Sequence, residues 1–160
     1  MYQVVPSRPT ASKLGALDLV HDARYGLPVE VISDKLQSSN KTVYKYVIDQ
    51  PNPWQSSSRS HHAVDLLFLF GGVDLSFNPG AEGVGQEMRR RWVRFVNGDA
   101  PWTEQKRLAY GPLGECREID EVQLAGRRRT GHINALREAG MGVYMPIVAA
   151  LTAGKISLLN

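Results

Sequence analysis

Residues 42–71 read TVYKYVIDQPNPWQSSSRSHHAVDLLFLFG. The opening Thr42-Val43-Tyr44-Lys45-Tyr46-Val47-Ile48 is rich in β-branched and aromatic side chains. Such residues fit a pleated, covered surface, so this segment is expected to be a strand. Asp49 to Trp54 leaves that strand, because the nitrogens of Pro51 and Pro53 cannot donate to a ladder. A polar connector, Ser56 to Ser60, then delivers His61 and His62 to the mouth of an apolar run that ends at Phe70-Gly71. Asp65 stands three residues after His62. Imidazole gains and loses a proton near neutral pH and is the side chain best suited to carry one during a reaction. The histidine pair is therefore the chain's leading candidate for chemistry.

On the N-terminal side, Leu14, Leu17 and Val20 recur at helical spacing, and Gly26 is expected to end that helix. Pro28 can open a second helix, in which Val29, Ile32 and Leu36 share a face, before Ser38-Ser39-Asn40 breaks it. On the C-terminal side, Gly71-Gly72 reads as a turn and Asn78-Pro79 as a helix start. Val84, Met88, Trp92, Phe95 and Val96 form a stripe expected to pack in a core, with Arg90 and Arg94 off it. Gly98 and Pro101 should stop this helix. Residues 102–118 look irregular; a charged, helix-prone segment then runs from Ile119 to Glu138, and Gly140 ends it. One strand cannot make a sheet, so the pattern implies part of a larger α/β fold.

The 160 residues suffice for one ordinary domain, and 42% hydrophobic with 22% charged residues is a globular balance. A net charge of +3 does not by itself imply nucleic acid. Cys116 is the single cysteine, which excludes an intrachain disulfide framework and any cysteine-based metal spacing. Met1 to Thr10 lacks a continuous apolar run, so no signal peptide is expected there. Residues 141–160 are more apolar, but Gly142, Pro146, Gly154 and Lys155 interrupt them. A membrane span needs about twenty uninterrupted apolar residues, so a buried helix docked on a sheet is expected instead.

From Trp54 onward the chain resembles the carboxylesterase type B family, the cholinesterase-like branch of the α/β-hydrolases. The resemblance is carried by Trp54, His62, the small Ala63, Asp65, and Leu66 through Phe70-Gly71. It continues through Met88, Trp92, Phe95 and Gly98-Asp99, and backwards through Tyr44 to Pro51. Leu108-Ala109-Tyr110-Gly111-Pro112 and Arg127-Arg128-Arg129 are similar to the tails of fungal-type members. The likeness covers most of the chain but only the family's C-terminal portion. It implies an α/β fold: residues 1–160 would be an incomplete domain, mainly helices with one or two strands of the parent sheet.

The family works with a serine nucleophile, an acid and a histidine, in that chain order. The histidine takes the serine's proton and returns it to the leaving alcohol, while the acid fixes its tautomer. Matched residue by residue, His62 is the implied proton shuttle, because only His62 has the acid at the third following position and Gly71 at the ninth. Asp65, where the family usually has Glu, is expected to bond nearby donors. The departures are definite: the chain contains no Gly-x-Ser-x-Gly elbow and no glycine pair upstream of a nucleophile, and Gly71-Gly72 lies after the histidine. Many members carry a Gly-containing turn where this chain has Arg59-Ser60-His61. The chain alone is therefore expected not to hydrolyse esters. Ester substrate would be handled only if an N-terminal hydrolase portion completed the triad. The alternative is a non-catalytic esterase-like remnant that binds or regulates, with pairing to a full-length relative as its mode.

Other candidates take plainer readings. His61 is expected to face solvent or to support His62. His61, His62 and Asp65 make a poor metal site because adjacent histidines diverge, so no metal or other cofactor is expected. His21 and His132 sit in charged helical surroundings. Trp54 reads as an aromatic wedge holding the loop, with a pocket wall as the alternative. The runs Arg89-Arg90-Arg91 and Arg127-Arg128-Arg129 are read as solvated helix faces rather than a nucleic-acid surface, because acids interleave with them. Cys116 is read as inert.

Overall fold

The computed structural model describes residues 1–5 and 9–155. Helix and strand are mixed, in keeping with an α/β fragment. The chain forms two compact units, one of residues 42–121 and one of residues 1–41 together with 122–160.

The unit of residues 42–121 holds the histidines. Its strands are β1 (Lys45–Ile48), β2 (Arg107–Tyr110) and β3 (Cys116–Ile119), in the order β1-β2-β3. β1 runs parallel to β2 with Tyr46 opposite Leu108, and β2 runs antiparallel to β3 with Tyr110 opposite Cys116. The first strand occupies the last four residues of the aromatic and β-branched run expected to form it, with residues 42–44 outside it. The second and third correct the expectation of an irregular 102–118 and of one or two strands at most. Both are four residues long, and Arg107, Arg117 and Glu118 interrupt their apolar character, so neither shows a usable alternation.

Helices α3 (Val64–Phe70) and α4 (Pro79–Val96) pack against each other in this unit. The Asn78 carboxamide oxygen caps α4 by accepting from Ala81 N at 3.1 Å, so the Asn-Pro signal marks its start correctly. Phe68, Val84, Met88, Leu108 and Tyr110 have no exposed surface and form the core. The expected α4 stripe is buried only at its start. Trp92 is half-buried, whereas Phe95 and Val96 are 50% and 77% exposed. Arg89 is no solvated face either: its Nη1 donates to the Phe68 carbonyl at 2.8 Å, at the end of α3. There a cation meets the carbonyls that a helix leaves unpaired. Arg91 holds Glu87 and the Pro101 carbonyl.

The other unit is built of α1 (Pro9–His21), α2 (Leu27–Ser38), α6 (Thr130–Ala139) and α7 (Met141–Ala150), with a short α5 (Glu121–Ala125) where the chain re-enters it. Gly26 does not end the first helix. A π-helical turn, Asp22–Gly26, carries α1 into α2 without a break, and Gly26 itself is right-handed helical. The buried face is also not the one that large side chains suggest. Ala16, Leu19, Ala23 and Leu27 are buried against Ile133, Leu136, Tyr144 and Val148, whereas Leu14, Val29 and Ile32 are 72%, 50% and 57% exposed. Small residues at helical spacing let neighbouring helices come close. Within this unit α7 packs on α6 and the π-helical turn Asp22–Gly26; residues 156–160 lie outside the described part. Among the described residues no helix is long and apolar enough to cross a membrane.

The run Arg127-Arg128-Arg129 also needs correction. Arg129 grips the buried Asp22 carboxylate through Nε and Nη2, each at 2.8 Å, and reaches Asp18 at 3.1 Å. The Tyr2 hydroxyl donates to the same Asp22 at 3.0 Å, which with burial pushes the phenol up. His132 stacks edge-on against Tyr2. Burial pulls His21 down from the usual histidine value. Tyr2, Asp22 and Arg129 form one hydrogen-bonded network.

Candidate active-site loop

The loop that carries the histidines leaves the carboxyl end of β1 and is pinned there by β2. The amides of Asp49 and Gln50 both donate to the Tyr110 carbonyl, at 2.7 and 3.0 Å. The buried Gln50 side chain accepts from Gly114 N at 3.0 Å. Gly111 has to be glycine: its φ is +89°, and a Cβ there would stand 2.4 Å from Gln50 N. Loops at the carboxyl ends of parallel strands are where open α/β sheets hold their ligands.

Asn52 organises the loop. Its side-chain oxygen accepts from Trp54 N at 2.9 Å and Gln55 N at 3.3 Å, and its backbone N–H donates to the Arg59 carbonyl at 3.0 Å. This folds the polar connector, with its short 3₁₀ turn Ser56–Ser58, back onto the start of the loop. The Asn52 side-chain nitrogen then meets His61 Nε2 at 3.0 Å, and His61 Nδ1 meets the His62 carbonyl at 3.0 Å. His61 is exposed, and its two ring nitrogens meet Asn52 and the His62 carbonyl. Sequence reasoning missed Asn52. Its signal was the Pro-Asn-Pro setting, in which an Asx turn is a favoured outcome.

His62 itself is exposed and stands two residues before α3, with Ala63 as the helix N-cap. Two strained residues bracket the histidines. Arg59 has φ 54° and ψ −160°, close to a region that essentially only glycine populates, and Ala63 is left-handed at φ 65°. Each such conformation costs on the order of 1–3 kcal/mol and persists only where its surroundings over-determine it.

Asp65 bonds a nearby donor, as expected. The Tyr46 hydroxyl donates to its Oδ2 at 3.3 Å, and burial together with this carboxylate pushes the phenol up to about 12. Trp54 is 56% exposed and lies against Phe77 with ring centroids 5.9 Å apart. Leu66 and Phe70 on α3 are also exposed, at 47% and 75%. Among the described residues no group of three or more His, Cys, Asp or Glu side chains could hold a metal ion. Burial pushes the Cys116 thiol up to about 11, which disfavours the reactive thiolate.

No family model matches the chain, and no solved structure does. Among curated proteins it is similar to Lipase 3 of Yarrowia lipolytica (strain CLIB 122 / E 150), at 24% identity over 142 residues. That alignment takes in 79% of this chain and 28% of the lipase, so the chain spans under a third of its relative. At the level this similarity supports, the chain is a distant relative of a lipase, related to ester hydrolases.

Proposed function

We propose that this chain is the C-terminal portion of a carboxylesterase type B-like serine hydrolase, with His62 as the triad histidine. The observation that supports the reading is that His62 lies in the loop following the carboxyl end of β1, a strand that pairs in parallel with β2. The likeness to a lipase supports it, as do the strained residues Arg59 and Ala63 around the histidines. So do the exposed aromatic side chains Trp54, Phe70 and Phe77, which a larger hydrolase would cover.

In this reading the serine, its elbow, the triad acid and the oxyanion donors belong to a preceding portion of the hydrolase. His62 takes the serine proton as the ester carbonyl is attacked, and gives it to the departing alcohol. Asp65 does not take the acid's part, since it is engaged by Tyr46. Without the nucleophile the chain turns over no ester. The test is hydrolysis of a simple aryl ester by the purified chain and by His62→Ala. Neither should exceed background; turnover that disappears in His62→Ala would overturn the claim that the chain is inactive alone.

A further inference from the structure

We propose that His61 is a positioning residue: a neutral imidazole, protonated at Nδ1, that clamps Asn52 to the His62 carbonyl and so sets the backbone that presents His62. The part of this proposal that concerns His62 rests on the functional reading above. The tautomer does not.

The tautomer follows from the partners. The Asn52 side-chain oxygen is identified by the Trp54 and Gln55 amides that point at it, so the group 3.0 Å from His61 Nε2 is the NH₂. An NH₂ only donates here, so Nε2 accepts and carries no proton. The other ring nitrogen faces a carbonyl, which only accepts, so Nδ1 carries the proton. Both ring nitrogens of His61 are thereby occupied, which leaves it unsuited to proton shuttling or to metal binding in this conformation.

The clamp acts where the backbone is strained. Arg59, whose carbonyl Asn52 holds, and Ala63, next to the clamped His62 carbonyl, are the two positive-φ residues flanking the histidines. A loop in such a shape keeps it only while its surroundings enforce it. Asn52 and His61 together supply that enforcement, and the residue they fix between the strained positions is His62. Adjacent histidines thus divide the work: one orients, the other is oriented.

The proposal is tested on the isotope-labelled full chain by long-range proton–nitrogen correlation of the imidazoles. His61 should show a protonated-type Nδ1 and an unprotonated-type Nε2. Asn52→Asp keeps an oxygen for the Trp54 and Gln55 amides but sets a carboxylate against Nε2, so His61 should become protonated at both nitrogens. His61→Phe, which keeps a flat ring but removes both nitrogens, should shift the His62 carbonyl carbon and broaden the amides of residues 61–63, with α4 resonances unmoved as the check on folding. An Nε2-protonated His61 in the unaltered chain would overturn the proposal. So would an Asn52→Asp chain with unchanged ring nitrogens, or a folded His61→Phe chain with unmoved His62 signals. None of these readouts involves ester turnover, so failure here and failure of the hydrolase reading are distinguishable.

Discussion

The Tyr46 hydroxyl donates to Asp65 Oδ2 at 3.3 Å, joining the strand before the histidine loop to the helix after it. The bond closes the loop at its base and gives the acid three residues past His62 a structural partner. Tyr46→Phe should lower stability by about 1 kcal/mol, the net worth of a side-chain hydrogen bond. The phenol is pushed up to about 12, so the folded state holds its proton more tightly than the unfolded chain. Its contribution is complete below about pH 10 and is lost as pH rises through the folded value. Denaturation of both chains at pH 8 and above pH 11 checks this: the gap between them should narrow at the higher pH.

Strain at Arg59 gives a prediction of opposite sign. Arg59→Gly should stabilise the chain by about 1 kcal/mol, because glycine adopts the observed φ of 54° without its penalty. Gly83 is the reverse case, a glycine inside α4 whose added Cβ would meet nothing within 4 Å. Gly83→Ala should therefore stabilise by roughly 0.5–1 kcal/mol. Urea midpoints of the three chains report both effects.

The buried Asp22 carboxylate makes Arg129 a structural residue. Asp22→Ala should cost about 3 kcal/mol or more, since it leaves the guanidinium without its main partner. A loss below 1 kcal/mol in urea would return Arg129 to the solvated face that its sequence setting suggests.

Cys116 should resist alkylation. With its thiol pushed up to about 11 by burial, the thiolate fraction at pH 8 is on the order of a thousandth. Iodoacetamide should modify the folded chain far more slowly than the urea-unfolded one at the same pH.

Legibility varied with how local the signal was. β1, the Asn78 cap and the Gly140 stop were read from a few neighbouring residues, because propensity and capping are short-range. β2 and β3 were not, because four-residue strands containing Arg107, Arg117 and Glu118 depend on partners across the sheet. The face buried by α1 was misjudged for a related reason. Ala16 and Ala23 win over Leu14 through what packs on them, which no helical periodicity reports. At the loop, His62 was singled out by resemblance and Asp65 correctly expected to bond a donor. The Asn52–His61 link spans nine positions and depends on a fold-back that spacing does not show.

The most direct measurement is on the natural product that contains this sequence, captured with an antibody against residues 120–139. Its intact mass and its reaction with a fluorophosphonate, which labels activated serines, are read together. The expected product is well above 17.7 kDa, takes the label on a serine outside these residues, and loses that reactivity when His62 is changed to Ala. An unlabelled product of 17.7 kDa, or labelling untouched by His62→Ala, would contradict it.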